Sequence, residues 1–299
     1  MADAAIDIQG LVKEYGPIRA LDGLNLSVPR GALAGFLGLN GAGKTTTLRI
    51  LLQMAKADSG SASALGLDTG NRMDSLALRG RTAFVPERKE LFPYMRVGDV
   101  IAFTKSFYPK WRNDREKQLA ADFGLRYDQR IPQLSKGTLT KLHLLLALSR
   151  GAELILLDEP TDGLDPLGVE VVMQALVGLV AEDGATVLFS SHRLNEIEQV
   201  ADHVCMIHKG RMLMNGSLDD LKADCRRVVM VFGDDSPLFA GEFAGDGPVR
   251  QSGRTLTVLS NGAVKSVVDR AHGLGARSVD VQPLSLREMF LELVKGEAQ

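Results

Sequence analysis

The feature that most constrains this chain is a glycine-rich run that stands between an apolar stretch and a helical one. Residues 38–45 read Gly-Leu-Asn-Gly-Ala-Gly-Lys-Thr and fit the pattern G-x-x-x-x-G-K-[ST] at every fixed position. The apolar residues 32–37 predict a buried strand, and residues 45–54 predict the helix that follows it. A strand, a glycine-rich loop and a helix in this order form the framework of a phosphate-binding loop.

Each residue type in this loop has a chemical reason to be there. Glycines let the backbone turn so that successive N–H groups point at phosphate oxygens, and the helix N-terminus adds its partial positive charge. Lys44 would reach the β- and γ-phosphates, and the Thr45 hydroxyl can ligate Mg²⁺. The alternative is a plain glycine-rich turn with a surface lysine, which the flanking strand and helix disfavour. The residues of this loop that are assigned to ATP binding are Gly38, Leu39, Asn40, Gly41, Ala42, Gly43, Lys44, Thr45 and Thr46.

A second signal is a pair of carboxylates at the end of another apolar run. Residues 154–157 read Leu-Ile-Leu-Leu and are followed directly by Asp158 and Glu159. Asp158 would enter the Mg²⁺ shell, and Glu159 would orient or deprotonate the water that attacks the γ-phosphate. The alternative is a buried strand that runs into an acidic loop, and the phosphate loop upstream weakens it.

The order of these motifs resembles that of the nucleotide-binding subunits of ABC transporters over about the first 220 residues. Residues 134–138, Leu-Ser-Lys-Gly-Thr, stand where that family has its signature loop. The resemblance implies that Ser135, Lys136 and Gly137 contact the ATP bound to a second subunit, with hydroxyl and amide donors from Ser135 and Gly137. By itself, the pattern also suits a helix that is capped by Ser135.

The resemblance extends to three single residues. Tyr15 matches the aromatic residue that stacks on adenine, although an ordinary tyrosine at a strand end would look the same. Asp165 matches the aspartate that couples the two sites of the family dimer, and His192 matches the histidine that contacts the γ-phosphate and helps to place the water. Most lone histidines are surface or core residues, and the others are interpreted that way: His143, His203, His208 and His272.

Two positions depart from the family pattern. Glu87 stands where the family commonly has a glutamine that ligates Mg²⁺ and relays the nucleotide state to the membrane subunit. A carboxylate can still ligate Mg²⁺, so ATP binding is expected while the coupling differs. Lys136 and Thr138 replace Gly and Gln of the commoner signature. The charge of Lys136 would lie near the partner's phosphate or in solvent at the dimer rim, and the second placement suits a long lysine better.

Composition excludes several other classes of protein. The 299 residues include 35 Lys or Arg and 37 Asp or Glu, so a nucleic-acid binder that works through a broad basic surface is disfavoured, and no nucleic-acid partner is expected. No apolar run approaches the ~18 residues of a membrane-spanning helix. The first residues show no secretory signal, which predicts a cytoplasmic protein. Cys205 and Cys225 are expected to be buried, reduced thiols.

The predicted fold class is α/β, with residues 1–224 as an ATPase domain and residues 225–299 as a small α+β accessory domain. The resemblance implies a P-loop NTPase with an ABC-type core, which has a mixed sheet, an antiparallel β subdomain and a helical subdomain. Further core strands are predicted at residues 82–85, 154–157 and 186–189, with a hairpin at 204–208 and 211–215. A helix at 218–224 is followed by strands at 226–232, 255–259 and 278–281, helices at 263–272 and 286–294, and a Gly- and Pro-bearing stretch at 241–253.

The resemblance implies an ATP-hydrolysing motor that binds ATP and Mg²⁺. Its partners would be a second ATPase subunit, identical or related, and a separate integral membrane permease, which would place the chain on the cytoplasmic face of the cell membrane. The permease would dock near Glu87 and residues 91–107, where Phe92, Tyr94, Met95 and Phe103 offer apolar contact or simply pack a helical subdomain. Glu87, the Leu-Ser-Lys-Gly signature and residues 285–290 resemble the ABC-2 type export branch.

Two other functions are alternatives to that of a transporter motor. A soluble ABC ATPase of translation or DNA repair would usually carry two nucleotide domains or long inserted coiled coils. This chain has one set of motifs and no sustained heptads between residues 45 and 134. A small-molecule kinase with a phosphate loop would explain neither the signature nor His192.

Overall fold

A computed structural model describes residues 4–233 and 240–296. These residues form two compact units, one that ends at Asn215 and one that begins at Gly216. The boundary expected between residues 224 and 225 stays a prediction. Residues 1–3, part of the segment in which no secretory signal is expected, lie outside the described residues. Among the described residues, no helix is both long and apolar enough to cross a membrane.

The first unit combines two sheets with helices. Its strands are β1 (Ala4–Tyr15), β2 (Ile18–Pro29), β3 (Leu33–Leu37), β4 (Ser59–Ala64), β5 (Leu67–Asp68), β6 (Thr82–Val85), β7 (Leu154–Asp158), β8 (Thr186–Ser191), β9 (His203–His208) and β10 (Arg211–Ser217), which reaches the second unit. Its helices are α1 (Lys44–Leu51), α2 (Ser75–Arg81), α3 (Val97–Lys105), α4 (Asn113–Asp122), α5 (Lys136–Leu148), α6 (Pro166–Asp183) and α7 (Leu194–Val200). Short 3₁₀ turns lie at Arg72–Asp74 and Ile131–Gln133.

The larger sheet places the functional segments at one edge. Its order is β10-β9-β3-β8-β7-β6, and the pairs from β9 through β6 are parallel. Every residue of β3, β7, β8 and β9 is buried, as is typical of parallel strands covered on both faces. Because parallel strands end at the same edge, the segments after β3, β6, β7 and β8 are brought side by side there.

A second, antiparallel sheet has the order β2-β1-β4-β5. It packs its apolar face into a core shared with α1 and β3, in which Ile6, Leu26 and Leu48 are buried. Helices α3, α4 and α5 lie in the chain between β6 and β7, where a helical subdomain is expected. The mixed sheet, the antiparallel sheet and the helical segment confirm the predicted fold class.

The first helix is shorter than its apolar pattern suggests. Residues 45–54 are predicted to be helical, but α1 ends at Leu51. The backbone of Gln53 adopts a positive φ of 57°, which turns the chain out of the helix although the side-chain pattern continues. Side-chain periodicity carries no information about this turn, so the prediction was too long by one turn.

The second unit is a small α+β fold. Its elements are α8 (Leu218–Asp224), β11 (Cys225–Val231), a short 3₁₀ turn (Ala240–Phe243), β12 (Val249–Ser252), β13 (Thr255–Asn261), α9 (Val264–Gly273), β14 (Ser278–Pro283) and α10 (Leu286–Gly296). The strands form an antiparallel sheet in the order β12-β13-β11-β14. Strand β12 lies in the Gly- and Pro-bearing stretch 241–253, where the sequence predicts no strand. It is a short edge strand whose residues are mostly exposed, so it lacks an apolar run.

Gly35 in β3 offers a direct test of the packing between the larger sheet and α7. A Cβ added there would come within 2.4 Å of Cγ2 and 3.2 Å of Cβ of Ile197. Gly35→Ala should therefore lower the free energy of unfolding by ~1–3 kcal/mol in urea denaturation. The matched control is Gly80→Ala in α2, where nothing lies within 4 Å, and it should be neutral or stabilising by up to ~1 kcal/mol. Equal effects of the two substitutions would contradict this packing.

His143 in α5 makes the first unit sensitive to acid. Its buried Nε2 has no hydrogen-bond partner, and burial, followed by the nearby charge of Lys89, lowers the pKa of its ring to about 4. Because an unfolded histidine titrates near ~6.5, the unfolded chain binds this proton first as the pH falls. The stability contributed by neutral His143 is thus fully present above pH ~6.5 and is lost toward pH ~4.

His143→Leu should remove about 2 kcal/mol of this acid destabilisation, because the leucine has no proton to take up. The measurement is the free energy of unfolding in urea, taken for both proteins at about pH 7.5 and about pH 4.5. The difference between the two proteins at about pH 7.5, where His143 is neutral, gives the effect of the substitution on packing alone. An identical loss of stability between the two pH values in both proteins would show that His143 is not the group responsible.

Candidate functional site

The phosphate loop connects β3 to α1 and closes around the ammonium group of Lys44. This lysine is only 7% exposed, and its Nζ donates a 2.7 Å hydrogen bond to the carbonyl oxygen of Gly38. The same Nζ lies 3.5 Å from Oε1 of Glu159. Gly43 has a φ of +111°, and a Cβ there would come within 2.8 Å of the carbonyl oxygen of Ala20. The loop conformation therefore requires glycine at this position.

Thr45 and Asp158 are 113 residues apart in sequence and in direct contact in the structure. The Thr45 hydroxyl donates a 2.7 Å hydrogen bond to Oδ2 of Asp158. The other carboxylate oxygen, Oδ1, accepts a 2.7 Å hydrogen bond from the Ser190 hydroxyl. Ser190 also accepts a 2.9 Å hydrogen bond from the backbone N–H of Glu159. Both oxygens of the buried Asp158 are thus held in place.

Ser190 is a site residue that the sequence motifs did not reveal. It lies in β8 directly opposite Asp158 in β7, so its hydroxyl faces the carboxylate. The signal available in the sequence is that the apolar run of β8 ends in two serines, at 190 and 191. Nothing in the sequence tells that β8 is the neighbour of β7, and the contact follows from that pairing alone.

The oxygens of Thr45 and Asp158 fit a magnesium ion. Mg²⁺ usually binds one or two protein oxygens and takes its other ligands from phosphate and water. Among the described residues, no cluster of three or more His, Cys, Asp or Glu side chains could hold a metal ion by itself. A hydroxyl and a carboxylate that already share one hydrogen bond suit a site that is completed by the phosphates of a nucleotide.

The Glu159 carboxylate lies between a lysine and a histidine. Its Oε2 is 2.9 Å from Nδ1 of His192, and its Oε1 faces Lys44. The side chain of Glu159 is 12% exposed, whereas that of His192 is 47% exposed. Glu159 also has a φ of 48°, a conformation that costs energy for a residue other than glycine. A carboxylate oriented by a neighbouring histidine is the arrangement expected of a general base.

The predicted signature loop packs against another loop of the same chain. Ser135 caps α5 by accepting a 3.1 Å hydrogen bond from the Thr138 N–H. Lys136, at 71% exposure, forms a 2.8 Å ion pair with Asp162. A Cβ on Gly137 would come within 2.9 Å of the Gly163 carbonyl oxygen, so this approach requires a glycine. The helix-capping alternative for Ser135 is correct, and contact of these residues with a second subunit's ATP stays a prediction.

The remaining predicted residues lie around this centre. Tyr15 ends β1 with an exposed ring, and Nζ of Lys13 lies 5.2 Å from its centroid. Asp165 caps α6 by accepting a 2.6 Å hydrogen bond from the N–H of Gly168. Glu87 follows β6 and is exposed. Within the described part of the chain, direct contacts join Lys44, Thr45, Asp158, Glu159 and His192, while Tyr15, Asp165 and Glu87 are placed by their elements alone.

A buried glutamate that the sequence did not reveal connects the loops after β7 and β8. Oε2 of Glu196 accepts hydrogen bonds of 2.7 Å from Thr161 and 3.1 Å from Ser191. Its Oε1 forms a 3.0 Å ion pair with Arg193. Because these loops carry Glu159 and His192, Glu196 positions the segments on which both side chains stand.

Comparison with known proteins agrees with this geometry. The sequence matches the ABC transporter family over residues 21–162. It is 30% identical over 308 aligned positions to the Nod factor export ATP-binding protein I of Burkholderia orbicola (strain AU 1054), with 100% of both chains covered. It is 33% identical over 222 positions to the bacitracin transport ATP-binding protein BcrA of Bacillus licheniformis, covering 73% of this chain and 72% of that protein. A solved ATP-binding subunit of an ABC transporter superposes with a TM-score of 0.66 at 26% identity, covering 73% of this chain and 92% of that one.

Ser190→Ala tests the support of Asp158. The substitution leaves one oxygen of a buried carboxylate without its donor and the Glu159 N–H without its acceptor. We expect the free energy of unfolding, measured in urea, to fall by ~1–3 kcal/mol. We also expect half-maximal nucleotide binding, measured by calorimetric titration, to require a higher Mg²⁺ concentration. The matched control is Ser149→Ala, since the buried Ser149 hydroxyl has no hydrogen-bond partner, and it should change neither quantity. If Ser190→Ala resembles this control, the hydroxyl does not support the site.

Proposed function

The chain belongs to the ABC transporter family, and from this premise we propose that it is the ATP-hydrolysing motor of an exporter whose membrane-spanning part is a separate polypeptide. The observation that carries the proposal is the position of the Glu159 carboxylate, held between Lys44 of the phosphate loop and His192 at the end of β8. Export is favoured because the relatives that this chain resembles include a Nod factor export protein and a bacitracin transport protein.

The residues of this chain divide the work of phosphoryl transfer between them. Lys44 and the N–H groups of residues 38–46 bind the phosphates, and the ammonium of Lys44 exchanges its contacts with Gly38 and Glu159 for phosphate oxygens. Thr45 and Asp158 would hold Mg²⁺, which neutralises charge that develops on the phosphates. Once Lys44 turns to the phosphate, Glu159 is free to accept a proton from the attacking water, and His192 keeps the carboxylate in position.

A second ATPase subunit, identical or related, completes the site. Ser135 and the N-terminus of α5 offer a hydroxyl and backbone N–H groups, the donors that an anionic phosphate needs. We place these donors against the γ-phosphate held by the partner subunit, with Lys136 at the rim of that contact. Asp165 stands at the start of α6, near the loop that packs on Gly137, and is proposed to couple the two sites. Tyr15 would stack on the adenine through its exposed ring.

The proposed membrane partner docks on an exposed aromatic patch formed by Phe92, Tyr94, Phe103 and Phe107. The ring centroids of neighbouring members are 5.1–6.1 Å apart, and Tyr94 is 74% exposed. Contiguous exposed aromatic residues are unusual on the surface of a protein that acts alone. The patch follows Glu87 in sequence, so the same segment that reaches the nucleotide also reaches the patch. This docking places the chain at the cytoplasmic face of the cell membrane.

Glu159→Gln tests the assignment of the general base. The amide cannot accept the proton from water, so ATP turnover should fall by at least ~100-fold while Mg·ATP-dependent dimerisation is retained. Turnover is measured as phosphate release, and dimerisation as molar mass by light scattering.

Two variants serve as controls for this test. Glu170→Gln makes the same chemical change on the exposed surface of α6 and should leave turnover unchanged. Lys44→Ala removes the phosphate-binding ammonium and should abolish both turnover and ATP-dependent dimerisation. Full turnover by the Glu159→Gln protein would refute the role of Glu159 as base.

A further inference from the structure

Carboxylates crowd the edge of the sheet at which the nucleotide is proposed to bind. Strands β6 and β7 pair in parallel, with Val85 opposite Leu157, so the segment that follows β6 leaves the sheet beside the one that follows β7. The first segment carries Glu87, while β7 ends in Asp158 and is followed by Glu159. A nucleoside triphosphate brings further negative charge to the same place, and like charges at close range destabilise one another. A neutral residue in place of Glu87 would reduce this repulsion.

Lys89 places a positive charge among these groups. Its side chain is half-buried, and its Nζ donates a 3.3 Å hydrogen bond to the backbone carbonyl of Glu87. Burial lowers the pKa of Lys89, while the charges of Asp162, Asp158 and Glu87 act in the opposite direction. A long lysine usually extends its ammonium group into solvent. This one is instead half-buried, where the charges of Asp158 and Asp162 act on it.

The groups that surround Lys89 leave its charge available to the nucleotide site. Asp162 is already paired with Lys136 at 2.8 Å, and Lys136 repels Lys89. From α5, His143 faces the same region, and burial together with the charge of Lys89 lowers its pKa to about 4. His143 is therefore neutral at physiological pH and adds no positive charge. Of the two cations that follow Glu87 in the chain, Arg88 is exposed, whereas Lys89 is half-buried, where a charge acts more strongly on its neighbours.

We propose that Lys89 is a positioning residue of the nucleotide site, whose charge compensates that of Glu87 when a magnesium–nucleotide complex binds. The inference rests on the proposed function, since it assumes that the nucleotide occupies this edge of the sheet. The two side chains together present nearly no net charge to the phosphates, as a single neutral residue would. The hydrogen bond from Lys89 to the Glu87 carbonyl also holds the segment after β6 in place.

The test is a double-substitution cycle on Lys89 and Glu87. Lys89→Met should weaken binding of the magnesium complex of β,γ-imido-ATP, which is not hydrolysed, by about tenfold in calorimetric titration. Glu87→Gln combined with Lys89→Met should restore the affinity to within about threefold of the wild type, because the charge to be balanced is gone. Lys89→Arg keeps the charge and should bind like the wild type, and the effect of Lys89→Met should shrink at about 1 M salt.

The controls separate this inference from the proposed function. Lys117→Met makes the same change of charge at an exposed position in α4 and should leave the affinity unchanged. If Lys89→Met weakens binding equally with Glu87 and with Gln at position 87, or does not weaken it at all, the compensation is refuted while the ATPase assignment stands. If the wild-type protein itself fails to bind the nucleotide complex, the proposed function fails with it. Equal thermal unfolding midpoints for all variants confirm that each one folds.

Discussion

The hydrogen bond from Thr45 to Asp158 is the contact on which the proposed site depends. It joins the first residues of α1 to the last residue of β7, two elements separated by more than a hundred residues of chain. Asp158 is 1% exposed, and an ionised carboxylate at that depth is costly unless each oxygen has a donor. Thr45 serves one oxygen and Ser190 the other, so Asp158 ties the first turn of α1 to the ends of β7 and β8.

The parts of the site that were predictable are those whose chemistry is local in sequence. Lys44 and Thr45 lie in one loop, and Asp158 and Glu159 are adjacent, so residue type and spacing suffice. Ser190 and Glu196 bind partners that are 32 and 35 residues away in sequence. The hydrophobic pattern predicts where strands lie but not which strands are neighbours in the sheet, so it does not predict these contacts. The early end of α1 and the edge strand β12 were not predicted, because neither has a signature in the apolar pattern. The end of α1 depends on a positive backbone φ at Gln53, and β12 is a mostly exposed edge strand.

The ion pair between Lys136 and Asp162 changes how the departure at the signature is understood. The sequence leaves Lys136 two possible surroundings, a partner's phosphate or solvent. In the structure it pairs with Asp162, a carboxylate of the loop that follows β7, and remains largely exposed. An exposed pair of this kind contributes only about 0–1 kcal/mol. Its loss therefore opposes contact of Lys136 with a phosphate only weakly.

The proposed charge balance accounts for a glutamate at position 87 of a site that is proposed to bind a nucleotide. The strand ends that meet at this edge of the sheet carry the carboxylates Glu87, Asp158 and Glu159 and the cations Lys44, Arg88 and Lys89. Lys89 follows Glu87 by two residues. Both therefore belong to the short segment after β6 and lie at the same edge of the sheet. On this proposal, the site conserves its net charge toward the phosphates and not the identity of one residue. A departure from a motif is then best judged together with the charged residues that the same strand end brings with it.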